Sequence, residues 1–271
     1  MNHFLLLIIF TLGLSHLPQA QSAQLVIIID DIGNNYSLGN AMVELEGPLT
    51  LAFLPHTPYA KTLALKAYQR QKEIILHAPM ENSSTAPLGP GALTQGLSKI
   101  EFQQTLSHAI ASIPHIQGIN NHMGSALTQD KQAMQWVMET LQDKQLYFID
   151  SLTSPHSVAY QQALKHHLPA LRRHIFLDND KSQAALTEQW NKALKIAHKT
   201  GRAVIIGHPY AESHAFLAQQ LPTLAAQNIE LVPASKLFLQ HAWQGFEQPK
   251  QIPHERINRY ILRPKNDPTS I

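Results

Sequence analysis

The sequence predicts a distorted (β/α) barrel of seven to eight strands. Eight short apolar runs alternate with about seven segments of helical periodicity, which indicates βα units and a parallel sheet. Polar side chains follow the first seven of these strands, and a barrel gathers all such strand ends around one mouth, whereas an open sheet gathers only those near a switch point. The 271 residues suffice for one barrel domain.

The first strand shows the pattern most clearly. Residues 25–29 read Leu-Val-Ile-Ile-Ile, a run typical of a strand buried on both faces, and Asp30, Asp31 and Gly33 follow it. Because an unpaired buried carboxylate is costly, two adjacent carboxylates here indicate a cationic partner, either a metal or an Arg or Lys. The alternative is that one Asp caps the next helix and the other is solvated.

The helices and strands of the first half of the chain are predicted from helix-capping residues, from the spacing of apolar residues and from the Gly and Pro residues that end several elements. Ser37 is a candidate N-cap for the first helix, and Gly47 with Pro48 ends it. Residues 82–96 are rich in Gly, Pro, Ser and Thr and form a loop long enough to be functional. In chain order, we predict helix 37–46, strand 49–54, helix 59–69, strand 73–77, helix 98–113, strand 116–119 and helix 129–142.

The second half repeats this alternation. Short apolar runs again end in polar residues, such as Asp150 and Asp178, and Gly201 ends a long amphipathic helix. In chain order, we predict strand 146–149, helix 155–166, strand 173–177, helix 182–200, strand 203–206, helix 211–226 and strand 229–232.

The two termini differ from the barrel in composition. Residues 4–14 form an apolar run too short to span a bilayer comfortably, and Pro18 and Ala20 follow it. We therefore predict a cleaved signal peptide at 1–22 and an exported, periplasmic or secreted protein without a transmembrane span in the mature chain. The alternative is an uncleaved N-terminal anchor. The barrel domain is predicted at 23–245, followed by an aperiodic tail at 246–271.

Composition excludes several classes of function. A net charge of +2, with no Lys/Arg run interleaved with aromatic residues, gives no support for nucleic-acid binding. Neither a GxGxxG nor a GxxxxGK[ST] motif is present, so nucleotide binding has no support either. The absence of cysteine excludes disulfides and thiolate ligands, so a zinc site would use His and Asp or Glu. The oligomeric state stays open.

The predicted mouth contains residues suited to metal binding and acid–base chemistry. Two imidazoles and one carboxylate leave open positions on a zinc-like ion, as a hydrolase requires. A second carboxylate can then take a proton from water, and a separate His can protonate the leaving group. The candidates are Asp30, Asp31, His56, His77, Glu81, Asn120, Asn121, His122, Asp150, His156, Asp178 and His208, of which His56 and His156 are the weakest.

Five ordered motifs resemble the divergent polysaccharide deacetylase family, a branch of the carbohydrate-esterase deacetylases. The motifs are DDIG at 30–33, HAPME at 77–81, GINNHMGS at 118–125, FIDS at 148–151 and GHP at 207–209, and the resemblance extends over about 25–233. It implies a distorted barrel that removes acetyl groups from N-acetylated sugar polymers with a metal-bound water.

The resemblance also implies roles for individual residues. Asp30 corresponds to the catalytic base, Asp31 to a metal ligand and His208 to the general acid. The superfamily's two metal histidines usually lie four residues apart, but position 81 is Glu, so we assign the ligands as Asp31, His77 and His122. We expect a further set to face the substrate or to orient the ligands, with Asn121 also a candidate oxyanion donor: Glu81, Asn120, Asn121, Ser125, Asp150 and Asp178.

Non-catalytic interpretations of the same residues stay open. His77 could bond a backbone carbonyl, His208 could belong to a structural turn, and Asp30 could orient a histidine. The superfamily's Arg-containing third motif is absent where Asn120, Asn121 and His122 stand, which leaves activity open.

We therefore expect a metal-dependent hydrolase of the cell envelope. It would use a divalent ion, zinc being the expected one, to deacetylate an N- or O-acetylated polysaccharide such as peptidoglycan. The first alternative is a catalytically inactive deacetylase-like protein that binds glycan or a partner protein. A further alternative is an amidase or phosphoesterase on the same scaffold.

Overall fold

The computed structural model describes residues 22–84 and 86–238. The predicted signal peptide, except for Ser22, and the predicted tail lie outside these residues, as do positions 239–245 of the predicted barrel domain. The described strands are β1 Ala23–Ile32, β2 Thr50–Phe53, β3 Glu73–Met80, β4 Gly118–Met123, β5 Tyr147–Asp150, β6 Ala170–Arg172, β7 Ile175–Phe176, β8 Arg202–Gly207 and β9 Ile229–Leu231. The helices are α1 Tyr36–Glu44, α2 Ala60–Gln69, α3 Lys99–Ser112, α4 Lys131–Lys144, α5 Ala159–Lys165, α6 Gln183–Thr200 and α7 Ala211–Gln220. No helix among the described residues is long and apolar enough to cross a membrane.

The strands form one parallel sheet in the order β6-β5-β4-β3-β2-β1-β8-β7, and β9 pairs with the beginning of β1. One segment, 170–176, bridges the two ends of this order, because β6 pairs with β5 and β7 pairs with β8. Between these strands, Arg173 N donates to Asp150 O and His174 N donates to Val204 O. The sheet therefore curls into the distorted (β/α) barrel that the sequence predicts.

Several predicted boundaries need correction. The predicted strand 173–177 contains only the two residues of β7, and a second short strand, β6, precedes it, because the segment 170–176 bonds first one edge of the barrel and then the other. The N-cap of α1 is Asn35, whose side chain accepts from Leu38 N, and not Ser37. The helix predicted at 211–226 ends at Gln220, and two 3-10 turns follow, the first with a proline at its start.

Two apolar clusters follow from the alternation of side chains along the strands. Leu25, Ile27 and Ile29 of β1 face outward and pack against the helices. Val26 and Ile28 face inward, into a cluster built from strand residues and the segment 232–238. Because every second side chain of a strand lies on the same face, Asp30 points inward as Val26 and Ile28 do. The order of residues in each strand thus determines which polar side chain faces the mouth.

The segment 232–238 closes the floor of the barrel, meaning the end opposite the mouth. There the Phe238 ring packs 4.8 Å from the ring of Tyr147. Glu73 is buried at the same end and accepts from Thr50 Oγ1 at 2.7 Å and from Ser235 N at 3.1 Å. Burial raises the pKa of Glu73, although its bonds with Ser235 and Thr50 act in the opposite direction.

Glu73→Gln is expected to change how stability depends on pH. Because the folded-state pKa of Glu73 is raised, its contribution is fully present below the unfolded-state pKa and is lost as the pH rises through the folded-state pKa. In that interval the wild type should lose about 1.4 kcal/mol of unfolding free energy per pH unit relative to the Gln variant. Urea unfolding of both proteins between pH 4 and pH 8 measures the difference.

Glu188→Gln, at an exposed ion pair on α6, is the control, and its stability should depend on pH as that of the wild type does. Parallel curves for wild type and Glu73→Gln would contradict the prediction.

Candidate metal centre at the mouth of the barrel

Side-chain alternation brings five polar residues to the mouth, meaning the carboxyl ends of the strands. Asp30 continues the inward positions Val26 and Ile28 of β1. By the same period, His77 follows inward Ile75 in β3, and His208 follows inward Ile206 of β8. Asn120 and His122 share one face of β4, because they lie two residues apart. β3 and β4 continue to residues 80 and 123, so His77 and His122 lie within the strands and not after them.

Asp31 joins this set through an unusual backbone conformation. Adjacent strand residues point to opposite faces, so Asp31 would face the helices in a regular strand. It has a φ of 58°, in the left-handed region, and the β1–β2 register shifts between Ile29 and Ile32. This bulge turns the carboxylate of Asp31 toward the mouth, beside that of Asp30. A non-glycine residue in this region costs about 1–3 kcal/mol, and such strain is common at functional sites.

Three potential ligand atoms converge at one point of the mouth. Asp31 Oδ1 lies 3.1 Å from His77 Nε2 and 2.9 Å from His122 Nδ1. The two ring nitrogens are 3.1 Å apart. A tetrahedral zinc ion with ligands at 2.0–2.1 Å has ligand–ligand separations of about 3.3 Å, so the three atoms nearly match one face of such a tetrahedron.

The chemistry of these atoms also fits a cation. Asp31 Oδ1 is buried, yet no N–H or O–H group is aligned to donate to it. Burial raises the pKa of Asp31, but His122 and His77 outweigh that effect and hold it well below its usual range. A buried, ionised oxygen beside two ring nitrogens is a donor set that zinc accepts.

Asn120 fixes the orientation of His77. Its Oδ1 lies 2.8 Å from His77 Nδ1, while its Nδ2 donates to Asp30 Oδ1 at 2.7 Å and to Ser151 Oγ at 3.2 Å. With its amide nitrogen bonded to two acceptors, Asn120 presents only an acceptor to the ring, so the proton of neutral His77 is on Nδ1. The lone pair of Nε2 then points to the other two ligand atoms.

Asn120→Ala is expected to weaken metal binding without abolishing it. The variant keeps all three ligands but loses the group that fixes the His77 ring, and such losses typically cost 10–100-fold in metal affinity. Competition titration with a chromophoric chelator measures the zinc dissociation constant. Gln103→Ala, which removes a side chain bonded to Glu139 between α3 and α4, is a control and should leave the constant unchanged. An unchanged constant in Asn120→Ala would contradict the orienting role.

His208 lies on the opposite side of the mouth from β3 and β4. Gly207 pairs with Ile29, so His208 and Asp30 stand at the same level on neighbouring strands. His208 Nδ1 lies 2.8 Å from Asp178 Oδ1, and its backbone N donates to Asp178 Oδ2 at 2.7 Å. Burial lowers the pKa of His208, but Asp178 more than offsets this and raises it to about 9. Asp178 is itself buried and also accepts from Ser213 Oγ.

Other sequence candidates lie around the centre and not in it. Asp150 faces outward and accepts from Leu152 N and Ser157 Oγ. Asn121 accepts from Ser151 N and donates to Met123 O, so it ties the ends of β4 and β5 together.

The remaining sequence candidates, Glu81, Ser125, His56 and His156, do not contact the three potential ligand atoms. Glu81 accepts from Gln95 N, and Ser125 accepts from Ser83 N, so both hold the loop 82–96 against the barrel. His56 and His156 are exposed. The structure therefore brings together Asp30, Asp31, His77, Asn120, His122 and His208.

Arg173 is a residue of the mouth that the sequence did not indicate. Its Nε donates to Ser151 O at 2.6 Å and its guanidinium also donates to Leu152 O at 2.8 Å. The guanidinium carbon lies 3.6 Å from the centre of the Phe176 ring. Leu152 has a φ of 50°, in the left-handed region, so the two bonds from Arg173 stabilise a turn in an unusual backbone conformation. Ser151, in the same turn, accepts a hydrogen bond from Asn120 through its hydroxyl. The sequence shows only an arginine before a short apolar run, which carries no functional signal.

A cavity of about 250 Å³ opens beside two of the three potential ligands, Asp31 and His122. Its walls are mostly proline and leucine from the ends of β2 and β3 and from the loop 82–96. The remaining lining residues are Asn34, Leu54, Pro55, Thr57, Pro79, Pro87, Leu88, Gly89 and Pro90.

Comparisons with known proteins cover nearly all of the described barrel. A family model described as divergent polysaccharide deacetylase matches residues 27–238. The chain is 33% identical over 216 residues to YibQ, an uncharacterized protein of Escherichia coli K12, with 80% of this chain and 67% of that protein covered. It is also 33% identical over 231 residues to an uncharacterized protein of Haemophilus influenzae, with 85% and 82% covered.

A solved structure shares the fold. The uncharacterized protein ATU2773 of Agrobacterium tumefaciens C58 superposes with a TM-score of 0.77 at 22% identity, over 80% of this chain and 90% of that one. Residues 30–33, 77–81, 118–125, 148–151 and 207–209, which carry the five motifs, all lie within the matched family region.

Proposed function

The chain belongs to the divergent polysaccharide deacetylase family, and from that premise we propose that it is a zinc-dependent hydrolase of the cell envelope. In this proposal it removes acetyl groups from an N- or O-acetylated polysaccharide such as peptidoglycan, after export directed by residues 1–22. The observation that carries the proposal is the convergence of Asp31, His77 and His122 beside the buried carboxylate of Asp30.

The three converging side chains would hold one divalent ion. Such an ion supplies Lewis acidity, which polarises a carbonyl group and lowers the pKa of a coordinated water. His77 is fixed for this role by Asn120, and Asp31 by the bulge in β1. Two of the three proposed ligands are thus positioned before an ion binds.

Asp30 is suited to accept a proton from water. Its Oδ1 accepts from Asn120, whereas its Oδ2 lies 3.7 Å from His77 Nε2, too far for a hydrogen bond. Oδ2 is therefore the oxygen that we assign to proton transfer. Burial raises the pKa of Asp30, although the charges of His77 and His208 act against it, and a raised pKa makes a carboxylate a stronger base.

His208 is suited to donate a proton to the leaving group. Asp178 bonds its Nδ1, which leaves Nε2 for the substrate. With a pKa raised to about 9, the ring carries its proton at neutral pH. Asp30 and His208 would thus act as base and acid from neighbouring strands, in the arrangement that hydrolysis of an amide or ester requires.

Acetate release from acetylated glycans tests the proposal. Zinc-loaded protein is incubated with N-acetylated chitin oligomers, O-acetylated xylan and peptidoglycan fragments, and acetate is measured enzymatically. Release that requires zinc and is lost in His208→Ala would support the proposal. Glycan binding without acetate release would instead support the alternative of a non-catalytic glycan-binding protein, and neither binding nor release on any substrate would contradict both.

A further inference from the structure

Two exposed tyrosine rings lie together at the mouth. Tyr36 begins α1 and is 43% exposed, and Tyr59 immediately precedes α2 and is 41% exposed. Their ring centres are 5.7 Å apart with an interplanar angle of 66°. Tyr59 N donates to Gly33 O at 2.9 Å, which fixes the pair to the loop that follows Asp31.

The tyrosine pair lies next along the chain to residues that line the cavity of the metal centre. Asn34 and Thr57 line that cavity, and Tyr36 and Tyr59 each lie two residues further along the chain. A molecule with one end beside Asp31 and the other at Asn34 and Thr57 would therefore end close to the backbone that carries the two rings. The pair thus lies beside the site of the proposed reaction.

The tyrosine on the other side of the mouth is less open. Tyr210 is 37% exposed, but the Lys181 ammonium lies 4.7 Å from its ring centre. Its ring is also 5.7 Å from that of His208. Among the tyrosines of the described part of the mouth, Tyr36 and Tyr59 therefore offer the more accessible ring surface.

Exposed aromatic rings beside a polar site suit a carbohydrate. A pyranose ring has C–H groups on its faces and hydroxyls around its edge, so it can stack on a tyrosine while its hydroxyls stay in water. We propose that Tyr36 and Tyr59 form a sugar platform that binds a second unit of a polymeric glycan. The unit next to it would place its acetyl group in the cavity beside Asp31. This inference rests on the proposed function and assigns the residues that would bind the second sugar of the polymer.

Binding to a defined oligomer tests the platform. Isothermal titration calorimetry of the zinc-loaded protein compares N-acetylglucosamine with its β-1,4-linked pentamer. The wild type should bind the pentamer at least about tenfold more tightly than the monomer, and the double variant Tyr36→Ala, Tyr59→Ala should lose about tenfold in pentamer affinity. Replacing both tyrosines by phenylalanine keeps the rings and should preserve pentamer affinity to within about threefold.

The control is a tyrosine near the far end of α2, away from the mouth. Tyr68 is 44% exposed and stacks on His115, and it lies nine residues, or about 13 Å along α2, from Tyr59. Tyr68→Ala should bind the pentamer as the wild type does. Wild-type pentamer affinity in the double Ala variant would overturn the platform while leaving the proposed hydrolase intact. If the wild type neither binds nor deacetylates the pentamer or the other glycans, the proposed function fails and the platform with it.

Discussion

Replacing His122 by alanine is expected to reduce bound zinc from about one ion per chain to a small fraction of that. His122 Nδ1 lies 2.9 Å from Asp31 Oδ1 and 3.1 Å from His77 Nε2, so the variant loses one of three donors. Since loss of a group that merely orients a ligand costs 10–100-fold in affinity, loss of the ligand itself should cost at least about a hundredfold. Inductively coupled plasma mass spectrometry of protein desalted after zinc loading measures the effect.

His56→Ala is the matched control for this experiment. His56 is likewise at the mouth, shortly after the end of β2, but it is exposed, and its ring lies against Gly91 of the loop 82–96. The control should retain about one ion per chain. Equal zinc content in His122→Ala and His56→Ala, with both proteins folded by circular dichroism, would remove the basis of the ligand assignment.

Asp30→Asn is expected to abolish acetate release while zinc remains bound. The substitution preserves the shape of the side chain but removes the base, and loss of a positioned general base typically costs about 10²–10⁴-fold in rate. Zinc should stay, because Asp30 Oδ2 is 3.7 Å from His77 Nε2 and Asp30 is not one of the three ligands. The measurement pairs acetate release with zinc content in one protein sample.

Asp143→Asn provides the control, since Asp143 is an exposed carboxylate on the outer helix α4. It should keep both zinc and wild-type activity. Retained activity in Asp30→Asn would show that another group takes the proton. Loss of zinc together with activity would show that Asp30 is a ligand, which contradicts the division of roles between the two aspartates.

The sequence predicts the barrel and the family correctly because both depend on repeated local patterns. Apolar runs and amphipathic helices recur in regular order, and the motifs at the strand ends identify the divergent polysaccharide deacetylase family. Alternation also explains why Asp30 and His77 face inward once the structure has placed Ile28 and Ile75 on the inner face of the barrel.

Asp31 could not be placed by the same reasoning. Strict alternation points its side chain at the helices, and only the left-handed conformation with its register shift turns it to the mouth. The role of Asn120 likewise depends on β3 and β4 being paired in the register His77 to Asn120, which no single-strand pattern specifies. Sequence resemblance predicts that Asp31 is a ligand, but the geometry that would allow this role is tertiary.

Arg173 and the divided strand 170–176 were missed for a related reason. A parallel strand that bonds one neighbour with its first half and another with its second half has no distinct sequence signature. The contacts of Arg173 with the carbonyls of Ser151 and Leu152 connect segments about twenty residues apart. Such contacts arise only once the barrel has closed.

Anomalous diffraction at the zinc absorption edge, from crystals of the zinc-loaded protein, tests the central claim most directly. The claim is that Asp31, His77 and His122 share one ion. We predict one anomalous peak at the mouth, about 2.0–2.2 Å from His77 Nε2, His122 Nδ1 and Asp31 Oδ1. Full zinc loading with no peak at these three atoms, or with the peak bound elsewhere, would contradict it.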